Sequence, residues 1–154
     1  MIRILFVCHG NICRSPMAEY ITKYLAKENG IDDRLYITSK ATSSEEIGND
    51  IYPPIKKVLT KHNIPYERHS ASKIVKQDLD NYDLIIGMDT YNIQNITRIL
   101  GPSDKIHKLC EYSNTSIDVD DPWYTRDFEQ CYGEIYAHCK NLINVLSKRL
   151  ALNK

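Results

Sequence analysis

Ile2-Arg3-Ile4-Leu5-Phe6-Val7 is a nearly continuous apolar run, the pattern of a strand buried on both faces. Ser15-Pro16 follows closely and opens a helix, since proline is tolerated in a first turn. Met17, Ile21 and Leu25 form that helix's apolar stripe, and Gly30 is its predicted stop. Leu35-Tyr36-Ile37-Thr38-Ser39 reads as a second strand. Asp50 and Pro53-Pro54 open a helix carrying Ile55, Val58 and Leu59, which has ended by Pro65. Tyr82-Asp83-Leu84-Ile85-Ile86-Gly87 reads as a third buried strand. A helix with Ile93, Ile96 and Leu100 follows and stops at Gly101-Pro102. Lys105-Ile106-His107-Lys108 is a short fourth strand. In the last helix Phe128, Cys131, Ile135, Cys139, Leu142, Leu146 and Leu150 fall at spacings of three and four.

Strands alternating with helices predict an α/β fold, a single domain over residues 1–154. Its architecture is expected to be three-layer αβα and Rossmann-like, around a short, twisted parallel sheet of about four strands. Sites in such sheets lie beyond the carboxyl ends of the strands.

Composition narrows the function classes. Lys plus Arg is 20 and Asp plus Glu is 20, so the net charge is zero. That removes the whole-protein case for a nucleic-acid or acidic-membrane partner. No apolar run approaches the 18 or so residues of a membrane-spanning helix, and the short apolar N-terminus lacks a signal-peptide cleavage site. Five cysteines, an odd number without a secretion signal, read as free thiols in a cytoplasmic protein. A monomer is the expectation.

The first strand runs into Cys8-His9-Gly10-Asn11-Ile12-Cys13-Arg14-Ser15-Pro16. A tight loop between a strand and a helix start turns successive backbone N–H groups towards one point, and the helix adds its unsatisfied donors and positive dipole end. That is a phosphate-binding loop after the first strand. It lacks the GxxxxGK[ST] pattern of nucleotide triphosphate loops. It carries instead a thiol at its start and a guanidinium six positions on. A thiol among N–H donors beside Arg14 is stabilised as thiolate, a strong nucleophile. Arg14 can hold two phosphoryl oxygens in a fork and leave the third to backbone donors. Gly10 is expected to take a backbone angle that a side chain would resist. Ser15 can donate a hydrogen bond to the thiolate. The alternative for this spacing is a buried cysteine and an arginine helix cap.

Cys8 through Pro16 resembles the phosphate loop of the low-molecular-weight protein tyrosine phosphatases. The likeness extends through Thr38-Ser39-Lys40-Ala41-Thr42-Ser43, Ile47-Gly48-Asn49, His69-Ser70-Ala71, Tyr82 to Asp89 and Asp121-Pro122-Trp123-Tyr124, almost the whole chain. It implies a phosphotyrosine-protein phosphatase that needs no cofactor and no metal, forms a cysteinyl-phosphate and releases inorganic phosphate. It makes Cys8 the nucleophile, Arg14 the phosphate clamp and Asp121 the acid that protonates the leaving phenolate. A carboxyl flanked by aromatic residues is partly desolvated, which suits that task. Asp120 is the neighbouring rival or assistant, and a plain turn is the bland reading of Asp120-Asp121-Pro122.

By the same resemblance Trp123 and Tyr124 form one wall of the substrate slot. The opposite wall departs from the pattern, because Glu45 stands where many members carry an aromatic residue. His9 either meets substrate or faces water. His69 is implied to support the loop through hydrogen bonds with Asn11 and Ser39, and Cys13 to pair with Cys8 on oxidation.

Three rival functions remain on this fold. Arsenate reduction needs a relay of further cysteines, and none lies between Cys13 and Cys110. Arginine-phosphate hydrolysis goes with threonine where this chain has Ile12, and an apolar residue there suits a flat ring better than a guanidinium. A binding module without activity would be expected to lack the thiol, the arginine or the acid. Cys8 and Cys13 have zinc-like spacing, but no second close pair completes four ligands. Cys131 and Cys139 fit the core stripe of the last helix.

Overall fold

The computed structural model describes residues 1–152. Strands β1 (Ile2–Cys8), β2 (Leu35–Ala41), β3 (Leu84–Gly87) and β4 (Ile106–Lys108) form one all-parallel sheet in the order β2-β1-β3-β4. Helices α1 (Arg14–Glu28), α2 (Pro53–Lys61), α3 (Asp78–Asn81), α4 (Thr90–Leu100), α5 (Pro122–Thr125) and α6 (Phe128–Leu152) complete the fold. The α/β architecture with a four-stranded parallel sheet is the one predicted.

Side chains alternate across a strand, and β1 feeds two cores. Ile4, Phe6 and Cys8 pack with Met17 and Ile21 of α1, Ile55 and Leu59 of α2, and Ile135, Cys139 and Leu142 of α6. Leu5 and Val7 pack on the other face with Ile74, Ile85, Ile96 and Leu100. Both faces are therefore covered, as a parallel sheet requires. Phe6 is fully buried, and its replacement by alanine would cost about 3–5 kcal/mol.

The chain leaves β1 towards β2 on one side and later returns to β3 on the other. That switch point places the carboxyl end of β1, and Cys8, at the mouth of the sheet. At the end of β3, Gly87 lets α4 approach: a Cβ there would lie 2.9 Å from Ile93 Cδ1 and 3.1 Å from the Asn92 Cβ. This close approach brings the start of α4, and Asp89 before it, to the same edge as Cys8.

Several boundaries differ from the sequence reading. The second strand continues to Ala41, the third begins at Leu84 and the fourth at Ile106. Asp50 does not open α2. Tyr52 precedes its first turn, and Asp50 instead accepts the backbone N–H groups of Ile51 and His69. Helices α3 and α5, of four residues each, are too short to show any periodicity in sequence.

Candidate active site

The loop after β1 is held open from outside. The carbonyls of Cys8, His9 and Ile12 accept hydrogen bonds from the N–H groups of Thr42, Ser43 and Tyr52. Trans peptide geometry then puts the N–H groups of His9, Gly10 and Cys13 on the opposite, inner side of the loop. At its centre Cys8 Sγ, 2% exposed as a residue, receives the N–H of Asn11 at 3.3 Å and that of Ser15 at 3.4 Å. Ser15 Oγ lies 3.1 Å from the sulfur. That hydroxyl accepts from Asn11 Nδ2 at 2.8 Å, which orients it towards the sulfur; to a thiolate it can only donate.

Asn11, not Gly10, carries the unusual backbone angle. Its φ is 60°, and Gly10 is not among the positive-φ residues. Asparagine tolerates that region, and here its side chain is also needed. Nδ2 donates to Ser39 Oγ at 3.0 Å as well as to Ser15. Oδ1 accepts the N–H of Ser72 at 3.2 Å. His69 Nε2 lies 2.7 Å from the Asn11 carbonyl and 3.1 Å from Oδ1; both are acceptors, so Nε2 carries the proton. His69 therefore supports the loop through Asn11 alone. The expected His69–Ser39 contact is replaced by a chain in which Asn11 stands between them. Ser39 Oγ in turn donates to Glu19 Oε1 at 2.6 Å, and Lys23 Nζ donates to the other Glu19 oxygen.

Arg14 opens α1 and is 2% exposed. Its Nη1 donates to Asp89 Oδ2 at 2.7 Å and to the Val119 carbonyl at 2.8 Å, and Nη2 lies 3.5 Å from Asp121 Oδ2. Burial works against its charge, but Cys8, Asp89 and Asp121 outweigh burial and raise its pKa above the ordinary arginine value. Asp121 is the N-cap of α5: one oxygen accepts the Trp123 N–H at 3.0 Å, and the other faces Arg14. Asp121 lines the cleft, and the exposed Asp120 does not.

The cleft encloses about 130 Å³ and is lined by Cys8, His9, Gly10, Ile12, Cys13, Arg14, Glu45, Glu46, Asp121, Trp123 and Tyr124. Trp123 and Tyr124 are 46% and 81% exposed. Trp123 leans on Tyr52, with ring centroids 5.0 Å apart. Across the cleft His9 Nε2 meets Glu45 Oε2 at 3.0 Å. Cys13 borders the same cavity. Burial first, and then the proximity of Cys8, push its thiol pKa well above the ordinary value. Cys131 is pushed up to about 12, chiefly by burial. Among the described residues no group of three or more His, Cys, Asp or Glu is arranged to hold a metal ion.

The model of the low molecular weight phosphotyrosine protein phosphatase family matches residues 3–152. The chain belongs to that family. It is 39% identical over 151 residues to the low molecular weight protein-tyrosine-phosphatase PtpA of Staphylococcus aureus, covering 96% of each chain. Its structure is similar to the crystal structure of YfkJ from Bacillus subtilis, with TM-score 0.92, 35% identity and coverage of 97% and 96%. It is also similar to the YwlE arginine phosphatase, with TM-score 0.85, 27% identity and coverage of 96% and 97%.

For a member of this phosphatase family, the sequence reading missed several supports. Asp89 was visible only as part of a matching strand end, yet it holds Arg14. Glu19 lies on α1, and only the fold brings it to Ser39. Tyr52 and Glu46 lie in the turn before α2, where no pattern marked them. The carbonyl of Val119 could not have been found from side-chain chemistry.

Proposed function

We propose that this protein, as one domain over residues 1–154, is a phosphotyrosine-protein phosphatase that works through a cysteinyl-phosphate and uses no cofactor. The observation that carries this reading is the convergence on one sulfur: two backbone N–H groups and the Ser15 hydroxyl on Cys8, between Arg14 and Asp121. The Cys8 thiolate attacks phosphorus, and the phosphorus–phenolate bond breaks. Asp121 gives its proton to the departing phenolate oxygen. Asp121 then takes a proton from water as that water attacks phosphorus; the phosphorus–sulfur bond breaks and inorganic phosphate leaves. Since Nη1 of Arg14 is already bound to Asp89 and Val119, the edge of the guanidinium bearing Nη2 is left to grip the transferred group. Positioning and electrostatics do most of the work.

Ile12 and Trp123 in the lining suit an aryl ester. The thiol's depth suits a long one, so phosphotyrosine peptides should be cleaved much faster than phosphoserine peptides. The test is turnover of p-nitrophenyl phosphate by the reduced protein and by Cys8→Ser over pH 5–7, followed by peptides carrying phosphotyrosine, phosphoserine or phosphoarginine. Activity lost in Cys8→Ser and a phosphotyrosine preference are expected. No activity in the parent, or a preference for phosphoarginine, would overturn the reading.

Balanced charge and five free thiols support a cytoplasmic monomer whose partners are phosphotyrosine proteins, without nucleic acid or membrane. The same site is redox-sensitive in this reading. Peroxide oxidises the Cys8 thiolate to a sulfenic acid with loss of hydroxide; Cys13 then displaces water from that sulfur to form a disulfide. A thiol reductant should restore the parent after peroxide, and recovery should fall sharply in Cys13→Ser.

A further inference from the structure

The segment after β2 passes over the first residues of the cradle and is pinned there. Both the N–H and the hydroxyl of Ser43 donate to the His9 carbonyl, at 3.1 and 2.9 Å. The pinning sets two consecutive carboxylates at the rim. Glu45, with a side chain 70% exposed, takes His9 Nε2 on one oxygen. Glu46 is anchored by Asn49 Nδ2 at 2.6 Å, with its Cγ 3.4 Å from where a Gly10 Cβ would sit.

The opposite rim holds a cation, Arg126, 6.0 Å from the centroid of the Trp123 ring. Arg126 lies over the rings of Tyr52 and Phe128, 5.6 and 5.1 Å from their centroids, and donates to the Tyr52 hydroxyl at 3.1 Å. Arg14 is buried at the base. The cleft thus pairs a phosphate-binding floor, made of Arg14 and inward-facing backbone N–H groups, with an anionic lip. A phosphotyrosine whose phosphate sits on the floor spans the depth of the cleft with its ring. The residues next to it in the peptide are then left at the level of Glu45 and Glu46.

We propose that Glu45 and Glu46 form a cation-recognising lip that selects phosphotyrosine sites flanked by lysine or arginine. The inference rests on the phosphatase reading above and names its substrate class. A flanking Lys or Arg pairs with the lip carboxylates; a flanking Asp or Glu is repelled by them. His9 orients Glu45 for this contact.

The experiment compares phosphotyrosine peptides that differ only in carrying Lys, Ala or Glu on either side of the phosphotyrosine. Each rate is expressed as a ratio within one protein, beside p-nitrophenyl phosphate. The Lys peptide should exceed the Glu peptide in kcat/KM by about tenfold at low salt, because exposed pairs are individually weak but two act together. The ratio should shrink when ionic strength brings the screening length below about 10 Å. It should approach one in Glu45→Gln/Glu46→Gln. Turnover of p-nitrophenyl phosphate with no Lys preference, or with a preference that survives the double substitution, overturns the lip and leaves the phosphatase reading standing. Absence of turnover on every substrate overturns both.

Discussion

At the base of the cleft, Asn11 is fully buried and bonded through both backbone and side chain to Cys8, Ser15, Ser39, His69 and Ser72. At the rim, Tyr124 is 81% exposed and the lip is tied to the cradle mainly through Ser43 and Glu45. The acid loop lies between these extremes. Val119 joins it to Met88 and Arg14, and Asp118 joins it to Thr90 and Lys108. The gradient follows what each region does. Atoms that surround the transferred phosphoryl group have one correct geometry, and the core over-determines it. Atoms that meet the rest of a substrate need only charge and surface, and few bonds restrain them.

The sharpest way to break that contrast is at Asp121, which lies between the two and is proposed to act on the group held at the base. Asp121→Asn should slow turnover of aryl phosphates with poor leaving groups by about 10²–10⁴-fold, and much less with good ones. Asp120→Asn should do little, since it is exposed and outside the lining. The measurement is kcat across a series of substituted phenyl phosphates. If the two variants ranked the other way, the acid would be Asp120 and the division of labour at the rim would need redrawing.

A second test loosens the base. Asn11→Ala removes a buried amide whose partners keep their own polar groups, and it leaves an alanine at a φ of 60°. The cost should be about 2–4 kcal/mol of stability, read as a lower midpoint in urea. Activity should fall with it, because Ser15 then loses the contact that orients its hydroxyl towards Cys8. A comparable truncation at the rim, Tyr124→Ala, should leave stability within about 0.5 kcal/mol of the parent. Equal losses at the two positions would show that the base is no better determined than the rim.

The strands, the principal helices and the Cys8-to-Ser15 loop were legible because each is local. Apolar runs announce buried strands, and a thiol and a guanidinium six positions apart fall between a strand and a helix. The resemblance carried Asp121, Ser39 and His69 as far as their names. It did not carry their wiring, which depends on parallel strands bringing residues together from distant parts of the chain: Arg14 with Asp89, Asn11 with Ser39 and Ser72, Ser39 with Glu19. Gly10 shows the limit of residue-type reasoning. The strained angle fell on its neighbour, because an asparagine there also supplies a side chain that spans four partners.

The smallest expected effect lies at the seam between base and surface. Asp50 accepts the His69 N–H at 2.9 Å and so steadies the residue that holds Asn11, while its other oxygen pairs with Lys56 at 2.5 Å. The Lys56 bond first, and then the backbone N–H groups of His69 and Ile51, hold its carboxyl down at about 2 although burial opposes them. A carboxylate depressed in the folded state stabilises fully above its unfolded pKa of about 4. That contribution declines as pH falls below about 4 and is gone once pH has passed through the folded value. The Asp50 side chain is 30% exposed, so screening reduces the contribution to about 1 kcal/mol. Asp50→Asn should therefore be about 1 kcal/mol less stable than the parent in urea unfolding at pH 7, with the gap narrowing by pH 3. A gap that stays constant over that range would mean that the charge of Asp50 contributes nothing and that the loss comes from the altered hydrogen-bond geometry of the amide. The seam would then belong with the base, whose strength is geometry, rather than with the rim, whose strength is charge.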